Sequence, residues 1–191
     1  MDKKIENLFE LWQKKNIQGI FCRDKNEAVQ KILELIPVSA SIGLSGSATL
    51  SELEVIDRLE GRGNQVFNQA KPGISKEEGW KLRQQGAVAD YYLTSANAVS
   101  LNGELVFLSA WGHRISGIAN AKNVIVICGV NKLVSDLDAA IKRAKEYATP
   151  LNYKRLNWDA QRPMICQTLV IEAEATPERL KVILIDEKLG F

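Results

Sequence analysis

The chain contains few of the residues from which metal centres and disulfides are built. Its 191 residues include three cysteines and one histidine. Cys22, Cys128 and Cys166 each follow apolar residues, and none has a CxxC partner. An odd number of thiols without an export signal predicts buried, reduced cysteines rather than disulfides. A single histidine excludes a metal site or a catalytic pair built on histidines.

Long apolar runs and an excess of one charge are also absent. The first residues, MDKKIENLFELWQKKN, are charged throughout, and no window reaches the ~18 uninterrupted apolar residues of a membrane span. We therefore expect a cytoplasmic protein without a signal peptide or membrane anchor. The formal net charge is +2 and the pI is about 8.4, without a long basic run, which argues against a dedicated nucleic-acid-binding protein.

The residues that are present predict an α/β domain. Hydrophobic residues make up 46% of the chain, enough for a core. Helical spacing over residues 2–16 is followed by a short strand, and Asp24 with Glu27 forms a capping-box pattern that opens a helix ending at Pro37. Strands and helices then alternate to Leu93, including one helix over residues 50–60. This alternation indicates parallel strands joined by crossover helices.

The second half of the chain departs from that alternation. Asn102-Gly103 separates two apolar runs and predicts a β-hairpin over residues 98–108. A buried strand at 124–128, a helix over 135–147 that ends before Pro150, and strands at 168–173 and 181–185 complete the prediction. The sequence thus predicts a mostly parallel sheet flanked by helices, with a β-hairpin insertion and an N-terminal helix. We expect one domain over residues 1–191, with residues 1–37 packed on it.

Three polar loops follow predicted strands, and in open parallel sheets ligands bind beyond the carboxyl ends of strands. The first loop contains Ser45, Gly46, Ser47 and Thr49. Gly46 allows close backbone approach, the hydroxyls can donate hydrogen bonds, and the start of the following helix favours an anion. The alternative is a capped helix and nothing more, with Ser47 or Thr49 as the N-cap. Glu52, in the first turn, is the one nearby carboxylate that could act as a general base.

The other candidate residues are amides and cations. Asn97 ends the second loop, and Asn131-Lys132 lies in the third, where Lys132 is placed to neutralise a carboxylate or phosphate. Ordinary turn chemistry for Asn97 and a solvent-exposed Lys132 are the alternatives. His113 and Arg114 would open a helix where the guanidinium can bind an oxyanion, although a lone surface histidine is usually inert. Spacing alone supports no Ser-His-Asp or Cys-His assignment.

Three segments resemble the lactate-utilization protein C family, also called the LUD domain: GLSGSATLSE, the stretch ADYYLTSANAVSLNGELVFLSAWGHRISGIANAKNVIVICGVNKLVSDLDAAIKRAKEYATPLNYKRL, and the ending RLKVILIDEKLGF. The resemblance implies a fold like that of ribose-5-phosphate isomerases, glucosamine-6-phosphate deaminases and CoA transferases (NagB/RpiA/CoA-transferase-like). In those relatives a loop similar to residues 45–49 holds a phosphate or another anion. The resemblance also implies a role in oxidising L-lactate to pyruvate beside iron–sulfur partner proteins.

Two departures from the family limit what can be transferred. Many members have a cysteine-rich segment shortly before the tail. In this chain the corresponding residues 152–165 contain no cysteine, and Cys166 alone matches the last cysteine of that segment. We therefore expect no metal and no cofactor in this chain, with iron–sulfur clusters confined to partner proteins. Many members also have Gly-Asn-Arg in place of Gly112-His113-Arg114, so His113 is a substitution. The residues that match the family pattern are Asn97, Arg114, Asn131 and Lys132.

The leading hypothesis is a lactate-utilization-type protein that binds a small carboxylate or other anionic metabolite and acts with iron–sulfur redox partners. It requires that Gly46, Arg114 and Lys132 converge on one pocket. One alternative is an independent sugar-phosphate isomerase or CoA-transferase-like enzyme that uses Glu52. Another is a non-catalytic assembly module with Trp111 and the 102–103 hairpin as its partner surface. Whether the chain is an enzyme by itself, and whether it forms a homo-oligomer, stay open at this level.

Overall fold

The computed structural model of the chain describes residues 2–159, 161–163 and 165–191. The helices are α1 (Lys3–Lys14), α2 (Lys25–Leu35), α3 (Ala48–Glu52), α4 (Val55–Gly61), α5 (Lys76–Ala87), α6 (His113–Asn120), α7 (Leu137–Lys142) and α8 (Thr149–Leu156). A 3₁₀ turn covers Val130–Lys132 and a π-helical segment covers Arg143–Ala148. The strands are β1 (Ile17–Cys22), β2 (Ser41–Leu44), β3 (Gln65–Phe67), β4 (Tyr91–Thr94), β5 (Ala98–Ser100), β6 (Leu105–Ser109), β7 (Asn123–Gly129), β8 (Leu133–Val134), β9 (Gln167–Ile171) and β10 (Leu180–Ile185).

A six-stranded sheet in the order β1-β10-β7-β4-β2-β3 forms the centre of the molecule, and every neighbouring pair in it is parallel. Its middle strands are buried on both faces. Along β7, Val124 and Val126 pack on one face with Trp12 of α1, whereas Ile125 and Ile127 pack on the opposite face, in the same cluster as residues of α2. This period of two is what a strand covered by helices on both sides requires. The predicted parallel α/β architecture is confirmed.

The predicted β-hairpin is present, but it belongs to a second sheet that the sequence did not predict. β5 and β6 pair antiparallel, and Gly103 occupies the turn with φ 98°. β9 extends this pair on one side and β8 on the other, giving the order β8-β5-β6-β9. The hairpin is therefore a structural layer that packs on the central sheet through Phe107 and Leu105.

The single helix predicted over residues 50–60 is wrong, because the segment forms two short helices, α3 and α4. Glu54 separates them with φ 51°, a left-handed conformation that ends α3 after five residues. Ser47 is the N-cap of α3 and accepts the Leu50 N–H at 3.3 Å. Ser47 is thus the N-cap, one of the two residues that the sequence offered for that role. Because aligned peptide dipoles sum along a helix, α3 adds little to the electrostatics of the loop before it.

The prediction that the helix after residue 135 ends before Pro150 is also wrong. α7 passes into the π-helical segment Arg143–Ala148, and the chain continues as α8, with Pro150 in its first turn. Proline is tolerated in the first turn, where its missing N–H is not needed. The Thr149 hydroxyl donates to the Ala144 carbonyl at 2.9 Å, which satisfies an acceptor within the widened turns.

Two of the three thiols match the prediction. Cys22 and Cys128 are buried, whereas Cys166 is exposed, so the prediction of burial is wrong for Cys166. Within residues 2–159, 161–163 and 165–191, no helix combines the length and the apolar character that crossing a membrane requires.

Candidate functional site

The three polar loops meet in one cavity of about 380 Å³ at an edge of the central sheet. β2, β4 and β7 are neighbours in that sheet, so the loops that follow their carboxyl ends lie side by side. Gly46, Arg114 and Lys132 all line this cavity. Of the other residues singled out in the sequence, the lining also includes Ser47, Thr49, Asn97 and His113.

Lys132 is 3% exposed and does not reach solvent as a surface lysine would. Its ammonium group donates to Thr49 Oγ1 at 2.9 Å, Ser95 Oγ at 2.7 Å and the Ala96 carbonyl at 3.2 Å. Burial lowers the pKa of Lys132 from 10.5 to about 8, and the nearby positive charges of Arg143 and Arg114 act in the same direction. The group is thus held in place by neutral oxygens.

Arg114 joins the loops together. Its guanidinium donates to Asn97 Oδ1 at 3.1 Å, to the Leu108 carbonyl at 2.9 Å and to the Gly46 carbonyl at 3.0 Å. Asn97 Oδ1 also accepts the Leu108 N–H at 2.9 Å, so Asn97 fixes the position of the arginine. Burial lowers the pKa of Arg114. No carboxylate is among its hydrogen-bond partners in the described residues.

Two further cations, which the sequence reasoning missed, line the same cavity: Arg83 from α5 and Arg155 from α8. With Arg114 and Lys132 they make four cationic side chains among the described residues of the lining, and none of those residues is an aspartate or glutamate. Across the part of the chain that the structure describes, none of the four forms an ion pair with an acidic side chain. The lining therefore concentrates positively charged side chains without an acidic side chain among them.

His113 lies among these cations but does not share their charge. Burial, followed by the positive charges of Arg114 and Arg83, lowers the pKa of His113 from 6.5 to about 4. The imidazole is therefore neutral at pH 7, and it can offer a hydrogen bond to a ligand but no charge. The sequence reasoning left His113 as a weak candidate, and the structure places it on the cavity wall as an uncharged group.

Three of the predicted site residues support the loops and do not line the cavity. Ser45 Oγ lies 2.8 Å from Thr94 Oγ1, behind the loop, and is fully buried. Asn131 Nδ2 donates to the Gly190 carbonyl at 3.3 Å. Glu52 is exposed, and its two carboxylate oxygens accept the Gly190 N–H at 3.0 and 3.2 Å. Asn131 and Glu52 thus hold the segment around Gly190 beside the cavity.

Large apolar side chains form another wall of the cavity: Trp111, Leu156, Trp158 and Ile165. Trp111 and Trp158 contact each other with their ring centroids 6.1 Å apart and their planes inclined at 59°. Trp111 remains 55% exposed, a high value for so large an apolar side chain. The site is therefore part cationic and part aromatic.

Unpaired polar atoms concentrate at this cavity. Among the described residues, five buried side-chain nitrogen or oxygen atoms have no hydrogen-bond partner, and four of them belong to residues that line it. These four are Gln69 Oε1, Arg83 Nε, His113 Nδ1 and Arg114 Nε. Because native proteins pair nearly all buried polar groups, such a cluster is typical of a site that a ligand or ordered water completes.

The family model named LUD domain matches residues 5–185. The chain belongs to the LUD domain family. The crystal structure of a DUF162 family protein from Deinococcus radiodurans is similar to this LUD domain, with a TM-score of 0.59 and 12% sequence identity over 96% of each chain. At that identity the likeness shows the fold alone. A search of the curated proteins found no match.

The family assignment made from three sequence segments is thus confirmed, and it supports a lactate-utilization-type function in broad terms. As for metal sites, the described part of this LUD domain contains no group of three or more His, Cys, Asp or Glu residues that could hold a metal ion. Within it, the cationic cavity is the feature whose chemistry points to a ligand.

Proposed function

We propose that this LUD-domain protein binds a small carboxylate or other anionic metabolite in the cavity and acts with iron–sulfur redox partners in the oxidation of L-lactate to pyruvate. The cavity chemistry supports the first part of the proposal. The second part, the action with iron–sulfur partners, rests on the resemblance of the three sequence segments to the lactate-utilization family.

The observation that carries the proposal is the convergence of Arg83, Arg114, Lys132 and Arg155 without an acidic partner. Like charges repel most strongly where water is excluded, because the effective dielectric constant is lower there than in water. Burial lowers the pKa of both Arg114 and Lys132, and neighbouring positive charges lower each of them further. A bound anion would supply the missing counter-charge and convert mutual repulsion into attraction.

The individual groups have complementary roles in this proposal. Arg114, fixed by Asn97, would bind two oxygens of a carboxylate through its planar guanidinium. Lys132, from the third polar loop, would add a second positive charge, and its ammonium group donates a hydrogen bond to Thr49. The Ser47 hydroxyl and neutral His113 would select the ligand by hydrogen bonding.

Isothermal titration calorimetry against L-lactate, pyruvate and sugar phosphates tests the proposal. We expect at least one of these anions to bind. Arg114→Gln should weaken it by about 10- to 100-fold, because a hydrogen bond to a charged group contributes roughly 1.5–3 kcal/mol. Lys154→Gln is the matched control, since Lys154 is exposed on α8 and does not line the cavity. The absence of binding by every anion at millimolar concentration would contradict the proposal.

A further inference from the structure

The cavity is larger than a three-carbon acid requires. Its volume of about 380 Å³ lies within the ~300–1,000 Å³ range of pockets that enclose drug-sized ligands. Lactate or pyruvate would fill a small part of that space. It would also leave most of the lining without a contact, including the apolar wall on the side of α8.

The charge of the cavity likewise exceeds what one carboxylate neutralises. Four cationic side chains come from four different segments of the chain, namely α5, α6, the 3₁₀ turn and α8. A carboxylate brings one negative charge, whereas a phosphate monoester brings about 1.5 to 2 at pH 7, together with three strong acceptor oxygens. Arginine guanidinium groups fit phosphate oxygens in pairs. Arg114 is the natural centre for such a group, because it lines the cavity and its Nε is buried there without a hydrogen-bond partner.

The apolar wall provides for a second part of the ligand. Trp111 lies just before α6 and Arg114 lies in its first turn, three residues later. Both side chains line the cavity. Its contact with Trp158 is tilted rather than stacked, and 55% of the residue is exposed. An exposed indole on the wall of a cavity is a surface on which a flat ring can stack. Gln69 Oε1 is buried without a partner, so it is free to accept a hydrogen bond from an N–H or O–H group of a ligand, which ionised phosphate oxygens do not provide.

We propose that the ligand of this site is a phosphorylated compound with a flat aromatic or heterocyclic ring, its phosphate at Arg114 and its ring against Trp111. This inference rests on the proposed function, because it assumes that the cavity binds an anion. It goes further by naming the chemical class of that anion. It also separates the site from one that holds a sugar phosphate or a three-carbon acid, neither of which carries a ring for the tryptophan.

A matched pair of probes tests the inference: AMP and ribose 5-phosphate, which share a sugar phosphate and differ in the adenine ring. We expect calorimetry at pH 7 and fixed salt to show AMP binding roughly tenfold more tightly, the scale of one base–aromatic stacking contact. Trp111→Ala should bring the two affinities to within about twofold of each other. Trp80→Ala is the matched control, because Trp80 is 50% exposed on α5 but does not line the cavity.

The outcomes separate this inference from the proposal on which it rests. Equal affinities for AMP and ribose 5-phosphate would overturn the inference and leave anion binding intact. Binding of pyruvate or lactate alone would do the same. A preference for AMP that survives Trp111→Ala would also overturn it, since the ring would then lie elsewhere. If no anion binds at all, both the inference and the proposed function fail.

Discussion

An ammonium group buried away from water usually has a carboxylate partner, because an unpaired buried charge is costly. Lys132 has hydroxyl and carbonyl oxygens instead. The positive charges of Arg143 and Arg114 lower its pKa, and Glu52, which is not among its hydrogen-bond partners, acts in the opposite direction. The hydroxyls of Thr49 and Ser95 can either accept or donate, so they accommodate the amine in both protonation states. At the scale of the residue, this buried ammonium group without a carboxylate partner is the basis of the proposed anion site.

The pKa of Lys132 predicts how anion binding depends on pH. With a pKa of about 8 in the empty protein, the side chain is charged below pH 8 and loses its charge above it. Anion affinity should therefore be constant from pH 6.5 to 7.5 and fall by up to about tenfold per pH unit above 8. Calorimetry over pH 6.5–9.5 measures this dependence, with Lys132→Met as the variant in which it should disappear.

The stability of the empty protein should change in the opposite direction. The folded-state pKa of Lys132 lies below the ordinary value of 10.5, so the unfolded chain binds more protons between about pH 8 and 10.5. Lys132 should therefore add stability as the pH rises through that window. Lys132→Met also serves as the control for the pH dependence of anion affinity. If affinity in this variant falls with pH as it does in the original protein, a group other than Lys132 titrates.

Glu52→Gln tests whether the only carboxylate nominated as a general base takes part in the chemistry. Its oxygens accept the Gly190 N–H, and it does not line the cavity. We expect anion affinity to stay within about threefold and the free energy of unfolding to fall by about 1 kcal/mol. Glu54→Gln, exposed in the adjacent turn, is the control. If Glu52→Gln binds anions normally but no longer converts a substrate that the original protein converts, the isomerase or CoA-transferase hypothesis gains support.

Loop composition after strands was enough to predict part of the cavity lining. Gly46, Arg114 and Lys132 were predicted to converge, and the fold brings them to one cavity. Arg83 and Arg155 could not be found in this way, because an arginine within a helix has no local signal that distinguishes a cavity wall from solvent. The roles expected of Glu52 and Asn131 depended on the segment around Gly190, whose position is set by tertiary contacts.

At the scale of the element, local rules failed where two helices met an unusual turn. Pro150 normally predicts a helix end, but the π-helical segment before it lets the chain continue into α8. That continuation brings Arg155 and Leu156 to the cavity. Glu54 broke the other predicted helix through a left-handed conformation that glutamate seldom adopts.

Close packing of β2 against α5 yields a prediction for Gly43. A Cβ atom there would lie 1.9 Å from the Gly86 carbonyl oxygen, and backbone cannot move aside as a side-chain tip can. We expect Gly43→Ala to lower the free energy of unfolding by about 3 kcal/mol or more. It should also weaken anion binding, because β2 leads into the Gly46 loop and α5 carries Arg83.

Gly61→Ala is the matched control for Gly43→Ala. Gly61 is the last residue of α4, and an added Cβ would meet no atom within 4 Å. We expect this change to stabilise the protein by about 0.4–1 kcal/mol, because alanine restricts the unfolded chain. Urea denaturation measures both variants. Similar stability in the two would mean that β2 and α5 can separate without cost.

At the scale of the whole molecule, the central sheet was predictable and the second sheet was not. Alternating strands and helices imply parallel pairing, whereas the pairing of β6 with β9 joins residues about sixty positions apart without any sequence signal. This second sheet matters for the site. Leu108 and Ser109 at the end of β6 line the cavity, and β9 begins directly after Cys166, beyond the apolar wall.

The cavity also links ligand binding to the stability of the whole fold. An anion that binds only the folded state stabilises it by about 2.7 kcal/mol at one hundred times its dissociation constant. Arg83→Gln removes one cation that has no acidic partner. Without an anion, its free energy of unfolding should stay within about 0.5 kcal/mol of the original value, and the stabilisation gained on adding the anion should become smaller. Arg58→Gln, exposed on α4, is the control and should keep the full gain.

The same gain should depend on salt. Raising the ionic strength from about 0.1 to 1 M shortens the Debye length from ~10 to ~3 Å, so the attraction between the anion and cations from separate segments weakens. Calorimetric unfolding with and without the anion measures the gain at each salt concentration. Because Arg83 and Arg155 are less buried than Lys132, salt should weaken their contribution before that of Lys132. A gain that is the same at both salt concentrations and in Arg83→Gln would place the anion outside this cavity.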